Sequence, residues 1–201
     1  MFIADSPGLD FLNSISTPID VPVELLHSGA GLLSWLEQAG WIAPARLEEI
    51  EAQAGPGELD SVAAEARALR EWFRQFVQEH QGRSLQPSAL ARLEPLNRIL
   101  ARDEEYTQIV ATEPTGELPF KLLRQRRWRS ASALLQPIAE AMAEVVASVD
   151  FAQVKHCEGA SCTLCFYDTT RRRARRWCSM AVCGNRAKQA AHRDRLAHAK
   201  T

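Results

Sequence analysis

Apolar positions through the first 150 residues recur mostly at steps of three and four, the spacing of a helix with one buried face. Residues 9–15 predict a short helix, ended by Pro18 and Pro22. Leu32, Leu33, Trp35 and Leu36 predict a second helix over 31–38, with Gly40 as its stop. Pro44 opens a third, with Leu47 and Ile50 inside and Gly55-Pro56-Gly57 beyond. The clearest helix covers 60–80: Val62, Ala66, Leu69, Phe73, Phe76 and Val77 share a face, and Asp60 or Ser61 is placed to cap it. A further helix is expected over 87–100, started by Pro87 and kinked at Pro95.

The pattern then changes. Residues 105–112 are rich in β-branched side chains, 118–124 alternate, and Pro114-Thr115-Gly116 lies between them, which predicts a β-hairpin. Helical spacing returns over 132–149 with Leu134, Leu135, Ile138, Met142, Val145 and Val149. That helix leads directly into the C-terminal segment, so the segment is expected to dock on it. The fold class expected is α+β, mostly helical.

Charge divides the chain. Residues 151–201 hold eleven basic and three acidic residues, a formal +8, while 1–150 hold the remaining thirteen basic and twenty-two acidic, a formal −9. An acidic body with a basic tail suits an anionic partner for the tail. The bland alternative is a solvated cationic face. No apolar run approaches the about 18 residues of a membrane span, and Met1-Phe2-Ile3-Ala4-Asp5 lacks a secretory pattern, so a cytoplasmic location is expected.

All five cysteines lie in the basic tail, and four follow Cys157-x4-Cys162-x15-Cys178-x4-Cys183. Two close pairs separated by such a span match structural zinc sites, where each short loop turns two thiolates toward one ion. A module of about thirty residues cannot hold itself by apolar burial alone, and Zn2+ supplies the missing stability. Cys162-x2-Cys165 is also a valid knuckle and would leave Cys157 free. Cys157 is preferred, because Cys165 lies in Leu164-Cys165-Phe166-Tyr167, which reads as a packed strand. His156 reads as a bystander. Residues 164–168 and 175–178 read as two strands joined by 169–174, and Cys183-Gly184-Asn185-Arg186 opens a helix running toward Leu196. Knuckle, hairpin, then a helix carrying the last ligand is the order of a treble clef.

Phe166-Tyr167-Asp168, Arg175-Arg176-Trp177-Cys178-Ser179-Met180 and Cys183-Gly184-Asn185-Arg186-Ala187-Lys188 together resemble the CGNR zinc-finger family. Leu9-Asp10-Phe11-Leu12-Asn13-Ser14 resembles the opening of the ABATE domain that accompanies such fingers. The resemblance implies an ABATE-like ligand-binding domain over 1–151 and a CGNR-type finger over 152–201. It also implies Zn2+ on Cys157, Cys162, Cys178 and Cys183, DNA as partner, and a role in stress-responsive transcription. The sequence departs from the family at Cys165, where an apolar residue is usual, and this leaves a thiol open to oxidation.

For contacts with nucleic acid, Arg171, Arg172, Arg173, Arg175 and Arg176 are the candidate phosphate binders, joined by Lys188. Asn185 and Arg186 suit base edges, although Asn185 equally suits bracing the knuckle. Trp177 either stacks on a base or covers the metal site, and Asp168 is expected to pair with one of the hairpin arginines. In the body, Asp10, Asn13 and Arg70 are candidates for a small-molecule pocket, with Asp10 equally suited to a structural arginine pair. The rival reading is a finger that grips an acidic protein. No nucleophile–base pair, glycine-rich phosphate loop or paired-acid motif argues for an enzyme, and four cysteine ligands leave zinc no open position.

Overall fold

A computed structural model describes residues 2–19, 21–112 and 118–198. Its class is the expected α+β, mostly helical, with three two-stranded antiparallel sheets. Helix α1, Pro7–Leu12, begins on a proline whose missing N–H costs nothing in a first turn. Strands β1, Ile15–Ile19, and β2, Val21–Glu24, follow as a hairpin, Ile15 opposite Glu24 and Ser16 opposite Val23. This second hairpin corrects the expectation of one hairpin in the body. Pro18 and Pro22 stop a helix but do not forbid a strand in a two-stranded ribbon, where every strand has an unpaired edge.

Helix α2, Gly29–Ala39, is capped by Ser28, whose side chain accepts the Gly31 N–H at 3.1 Å, and ends on Gly40 in the left-handed region. Helix α3 is Pro44–Gln53 and α4 is Glu58–His80. Asp60 does not cap α4. Its Oδ1 accepts the N–H of Gly29 at 2.7 Å, so it caps the neighbouring helix. A Cβ at Gly29 would lie 2.4 Å from that of Leu59, so glycine is what lets α2 approach α4. The segment expected as one kinked helix is divided into a 3-10 turn, Pro87–Arg92, and helix α5, Glu94–Leu100, with Pro95 inside the first turn.

Strands β3, Glu105–Ala111, and β4, Phe120–Arg126, form the expected hairpin, from Glu105 opposite Arg126 to Ala111 opposite Phe120. The expected turn at Pro114-Thr115-Gly116 lies outside the described residues. A 3-10 turn, Ala131–Leu134, leads into α6, Leu135–Ser148.

Helix α1 packs on α6 and α4, burying Leu9, Phe11, Leu12, Phe73, Ile138, Met142 and Val145. The same apolar cluster continues into Phe151, Leu164 and Phe166 of the C-terminal segment. That segment holds strands β5, Val154–His156, and β6, Cys165–Tyr167, and helix α7, Asn185–His198. Among the described residues no helix is long and apolar enough to cross a membrane.

Candidate metal centre and its cationic surround

The expected strand pair 164–168 with 175–178 is not what forms. β6 pairs instead with β5, Val154 opposite Tyr167 and His156 opposite Cys165. The loop between these strands carries the first two cysteines. It is closed by the Cys157 N–H donating to Leu164 O at 2.9 Å and the Cys162 N–H to Gly159 O at 3.0 Å. Residues 171–179 are irregular, because the Asp168 carboxylate organises them in place of a ladder. Its Oδ2 accepts Lys155 Nζ at 2.6 Å and the Arg175 N–H at 2.9 Å. Its Oδ1 accepts the Thr170 hydroxyl at 2.6 Å and the Thr170 N–H at 3.0 Å. Asp168 is 0% exposed. Burial by itself would raise its pKa, but the Lys155 bond and the other donors outweigh that and hold it well below the ordinary carboxylate range. The expected partner was an arginine; the side chain that pairs with it is Lys155.

Cys178 precedes a wide helical turn, Met180–Gly184, that contains Cys183 and runs straight into α7. Ser179 caps this turn by accepting the Val182 N–H at 3.3 Å. The sulfurs of Cys157, Cys162, Cys178 and Cys183 all lie within 4.8 Å of one another. Cys162 and Cys178 are 3.7 Å apart, and Cys178 and Cys183 3.6 Å. A tetrahedron of sulfurs about 2.3 Å from zinc has edges of about 3.8 Å, so the spacing suits this ion. Cys157 Sγ also accepts backbone N–H bonds from Gly159 at 3.4 Å and Cys178 at 3.3 Å. A Cβ at Gly159 would sit 3.1 Å from that of Cys162 and 3.3 Å from the Cys183 sulfur, so glycine lets the loop close over the sulfurs without displacing them.

Burial, with neighbouring sulfurs, pushes the Cys162 thiol up to about 11 and the Cys178 thiol higher still. Burial would raise Cys157 too, but the two N–H donors bring it down. Four thiolates this close need a cation among them, and Zn2+ would supply it as a structural crosslink with no open position.

Cys165 stands apart. Its backbone N–H donates to Asn13 Oδ1 at 3.0 Å and its carbonyl accepts from Asn13 Nδ2 at 2.8 Å. Burial pushes its thiol up to about 12, which keeps it protonated and unreactive. A second group of ligand-type side chains, Asp103, Glu105 and Glu140, already surrounds a cation, the Arg126 guanidinium, at 2.6 Å from Asp103 and from Glu140.

The candidate nucleic-acid residues fall into separate groups. Arg175 is committed internally, donating to Asp5 at 2.6 Å, Ile3 O at 3.0 Å and Cys178 O at 2.6 Å, and lying 4.1 Å over the Phe166 ring. Arg173 donates to Asp168 O and lies over Tyr167, and Arg176 pairs with Glu158 at 2.6 Å over the Trp177 ring. Arg171 and Arg172 are exposed and have no partner among the described residues, and the same holds for Lys188 on α7. Asn185 Nδ2 donates to Ala181 O at 3.2 Å, across the turn holding Cys183. Arg186, half-buried beside it, is also engaged.

The finger docks on the start of the chain. Besides Arg175 and Asn13, the Tyr167 N–H donates to Ala4 O at 2.8 Å and the Thr17 N–H to Thr163 Oγ1 at 2.8 Å. Helix α6 delivers the chain to the finger, but these polar contacts go to residues 3–17. Asp10 Oδ1 accepts the N–H groups of Ile3 and Ala4, at 2.8 and 2.9 Å, and so holds this platform in place of pairing with an arginine. Arg70, 1% exposed, makes a two-pronged bond to Glu24 at 2.8 and 2.5 Å and donates to Ser14 at 2.8 Å. Asp5, Lys155 and Glu158, the acceptors and donor that hold these groups, carry no motif that sequence reasoning could have used.

The family described as "Putative stress-induced transcription regulator", ABATE, matches residues 5–149. The chain belongs to the ABATE family. The CGNR zinc finger matches residues 153–196, so the ABATE body and the CGNR finger follow in that order and the four clustered cysteines lie inside the finger. Both families are of regulatory or zinc-finger type. A search of curated proteins finds no match. Asn13, from the opening motif of the ABATE body, is thus the residue that clamps the CGNR finger to it.

Proposed function

We propose that the chain regulates transcription by holding DNA with a zinc-bound finger, residues 152–201, carried on a body, residues 1–151, that answers to a small ligand. The observation that supports this reading is the division among the arginines. Arg175 and Arg173 fix the finger's frame, while Arg171 and Arg172 project from an exposed turn with no internal partner among the described residues. Cations without an ion pair to break can neutralise phosphates at little internal cost, and α7 adds further exposed cations at Lys188, Arg193 and Arg195. Asn185 and Arg186, at the start of α7, carry the donors suited to base edges.

The test is binding to duplex DNA by fluorescence anisotropy across a salt series. Removing one cation that neutralises a phosphate lowers the slope of log K against log[salt] by about 0.9. Arg171→Ala/Arg172→Ala should therefore flatten it by about 1.8 while zinc content stays the same. An unchanged slope rejects the assignment. Exposed Met180 and Val182 beside the metal turn favour a second reading, a finger that docks on protein. Capture of a protein partner from nuclease-treated lysate, with no salt-dependent DNA binding, would select it.

Asp10, Asn13 and Arg70 were the expected ligand residues of the body. Each is bonded internally, and none lines the cavity of about 610 Å³ where α4, α5 and α6 meet. The ligand reading is therefore carried by that cavity.

A further inference from the structure

A cavity of about 610 Å³ opens where α4, α5, α6 and the base of β4 meet. Volumes of this order accommodate metabolite-sized ligands. Five arginines and three acids line it, and most are matched: Arg98 pairs with Glu94, Arg126 with Asp103 and Glu140, and Arg129 with Glu104. The exposed Glu65 and two cations are not. Arg102 has no partner among the described residues, and Arg127 touches only the Tyr106 ring, 4.8 Å below its guanidinium, which leaves its N–H groups available. Trp72, Leu69 and Ile99 supply an apolar wall. Gln136, 5% exposed, also lines the cavity. Its Nε2 donates to Ile99 O at 2.9 Å, while its Oε1 has no hydrogen-bond partner. The Oε1 is shielded from solvent, so a ligand's donor meets it only when the Gln136 amide turns toward the cavity, and the cost of a buried, unpaired acceptor favours that turn.

We infer that this cavity binds a small aromatic acid, carboxylate or phosphate ester, that also carries an N–H donor. The inference rests on the reading that the body answers to a ligand, and it names the ligand's chemistry. Arg102 and Arg127 take the anionic group, the Trp72 wall takes the ring, and Gln136 Oε1 accepts the N–H. Arginine suits the first role because its planar fork matches both carboxylate and phosphate oxygens.

The test is isothermal titration of the full zinc-loaded chain with four probes: 2-aminobenzoate, adenosine monophosphate, benzoate and inorganic phosphate. Saturable binding of 2-aminobenzoate or adenosine monophosphate supports the inference, and which of them binds tells carboxylate from phosphate. Benzoate, lacking the amine, and inorganic phosphate, lacking the ring, should each bind at least about 10-fold more weakly than their counterparts, the order expected for one missing bond to a buried acceptor or one missing apolar group. Arg102→Ala/Arg127→Ala breaks no ion pair and should weaken the bound probe by about 10-fold or more. Its unfolding midpoint, measured alongside, should stay at the wild-type value. Failure of all four probes overturns the inference, as does equal binding by wild type and the double variant. DNA affinity is recorded on the same samples. DNA binding without probe binding overturns the cavity assignment alone, whereas probe binding without DNA binding overturns the finger reading alone.

Discussion

Replacing Asp168 should unfasten the finger without touching a sulfur, and the structure gives the size of the effect. The wild-type carboxylate accepts four donors in a fully buried position. In Asp168→Asn the amide can keep one oxygen for Lys155 and Arg175, but its NH2 then faces the Thr170 N–H. The Thr170 hydroxyl can rotate to accept; the Thr170 N–H cannot. One orphaned donor costs about 1–3 kcal/mol, and exchanging a charged for a neutral acceptor toward Lys155 adds about 1 kcal/mol, so about 2–4 kcal/mol is expected. Asp168→Ala strands the Lys155 ammonium as well. Removing one partner of a buried pair costs about 3–5 kcal/mol, and the lower end applies because the Lys155 side chain is 29% exposed and partly hydrated. Lys155→Ala strands the fully buried carboxylate but leaves it three donors, so it should cost less than Asp168→Ala. The assay is urea-dependent transfer of zinc to a chromophoric chelator at pH 7.5, which reports opening of the finger alone. An Asn variant within about 0.5 kcal/mol of wild type, inside the range of ordinary surface changes, would refute the argument that this carboxylate organises residues 169–178.

Four further outcomes are expected. Arg70→Met leaves Glu24 half-buried without its guanidinium and should cost about 3 kcal/mol in thermal or urea unfolding of the whole chain. Burial works to raise the Glu24 pKa, but the Arg70 bonds outweigh it and lower it from 4.5, so this pair's stabilisation is complete above about pH 4.5 and fades as pH falls through the lowered value. The gap between Arg70→Met and wild type should narrow on acidification; a constant gap would show that the pair is not the source. Asn13→Ala removes both bonds to the Cys165 backbone and should raise amide exchange in β6 by about 5- to 150-fold, from about 1–3 kcal/mol less local protection. Gly159→Ala crowds Cys162 and Cys183 and should raise the zinc dissociation constant, read by chelator competition, with circular dichroism of the body unchanged. Zinc removal should abolish DNA binding yet leave most of the helical signal, because α1–α6 lie in the body; loss of the whole signal would mean that body and finger fold as one unit.

Sequence pattern reaches the long elements and stops at those governed by single contacts. The face from Val62 to Val77 and the stripe from Leu134 to Val145 are read correctly, because apolar burial dominates there and leaves a period. Strands β1 and β2 are hidden by Pro18 and Pro22, and the start of α4 is misread because Asp60 turns to cap α2. In the finger, spacing leaves two possible first pairs, and the apolar run around Cys165 decides for Cys157 with Cys162, the sulfurs that do come together with Cys178 and Cys183. The arginines are legible as charge but not as individuals. Arg175 and Arg172 are three residues apart and look alike in sequence, yet one is bonded to Asp5, Ile3 and Cys178 and the other to nothing described. That difference is set by Asp5, which lies 170 residues away and has no pattern to announce it.

The docking of the finger on residues 3–17 has a consequence for the order of assembly. Asn13 and Ala4 leave the ribosome early, but their partners Cys165 and Tyr167 follow some 150 residues later. At synthesis rates of about 5–20 residues per second, that platform waits about 8–30 s with its amide and carbonyl unmatched. Helices α1 to α6 can collapse on one another during the delay, whereas the contact between the two ends of the described chain must form last. A chain halted before β6 would therefore present α1 with a notch where that strand belongs, a surface that quality-control machinery could recognise as unfinished.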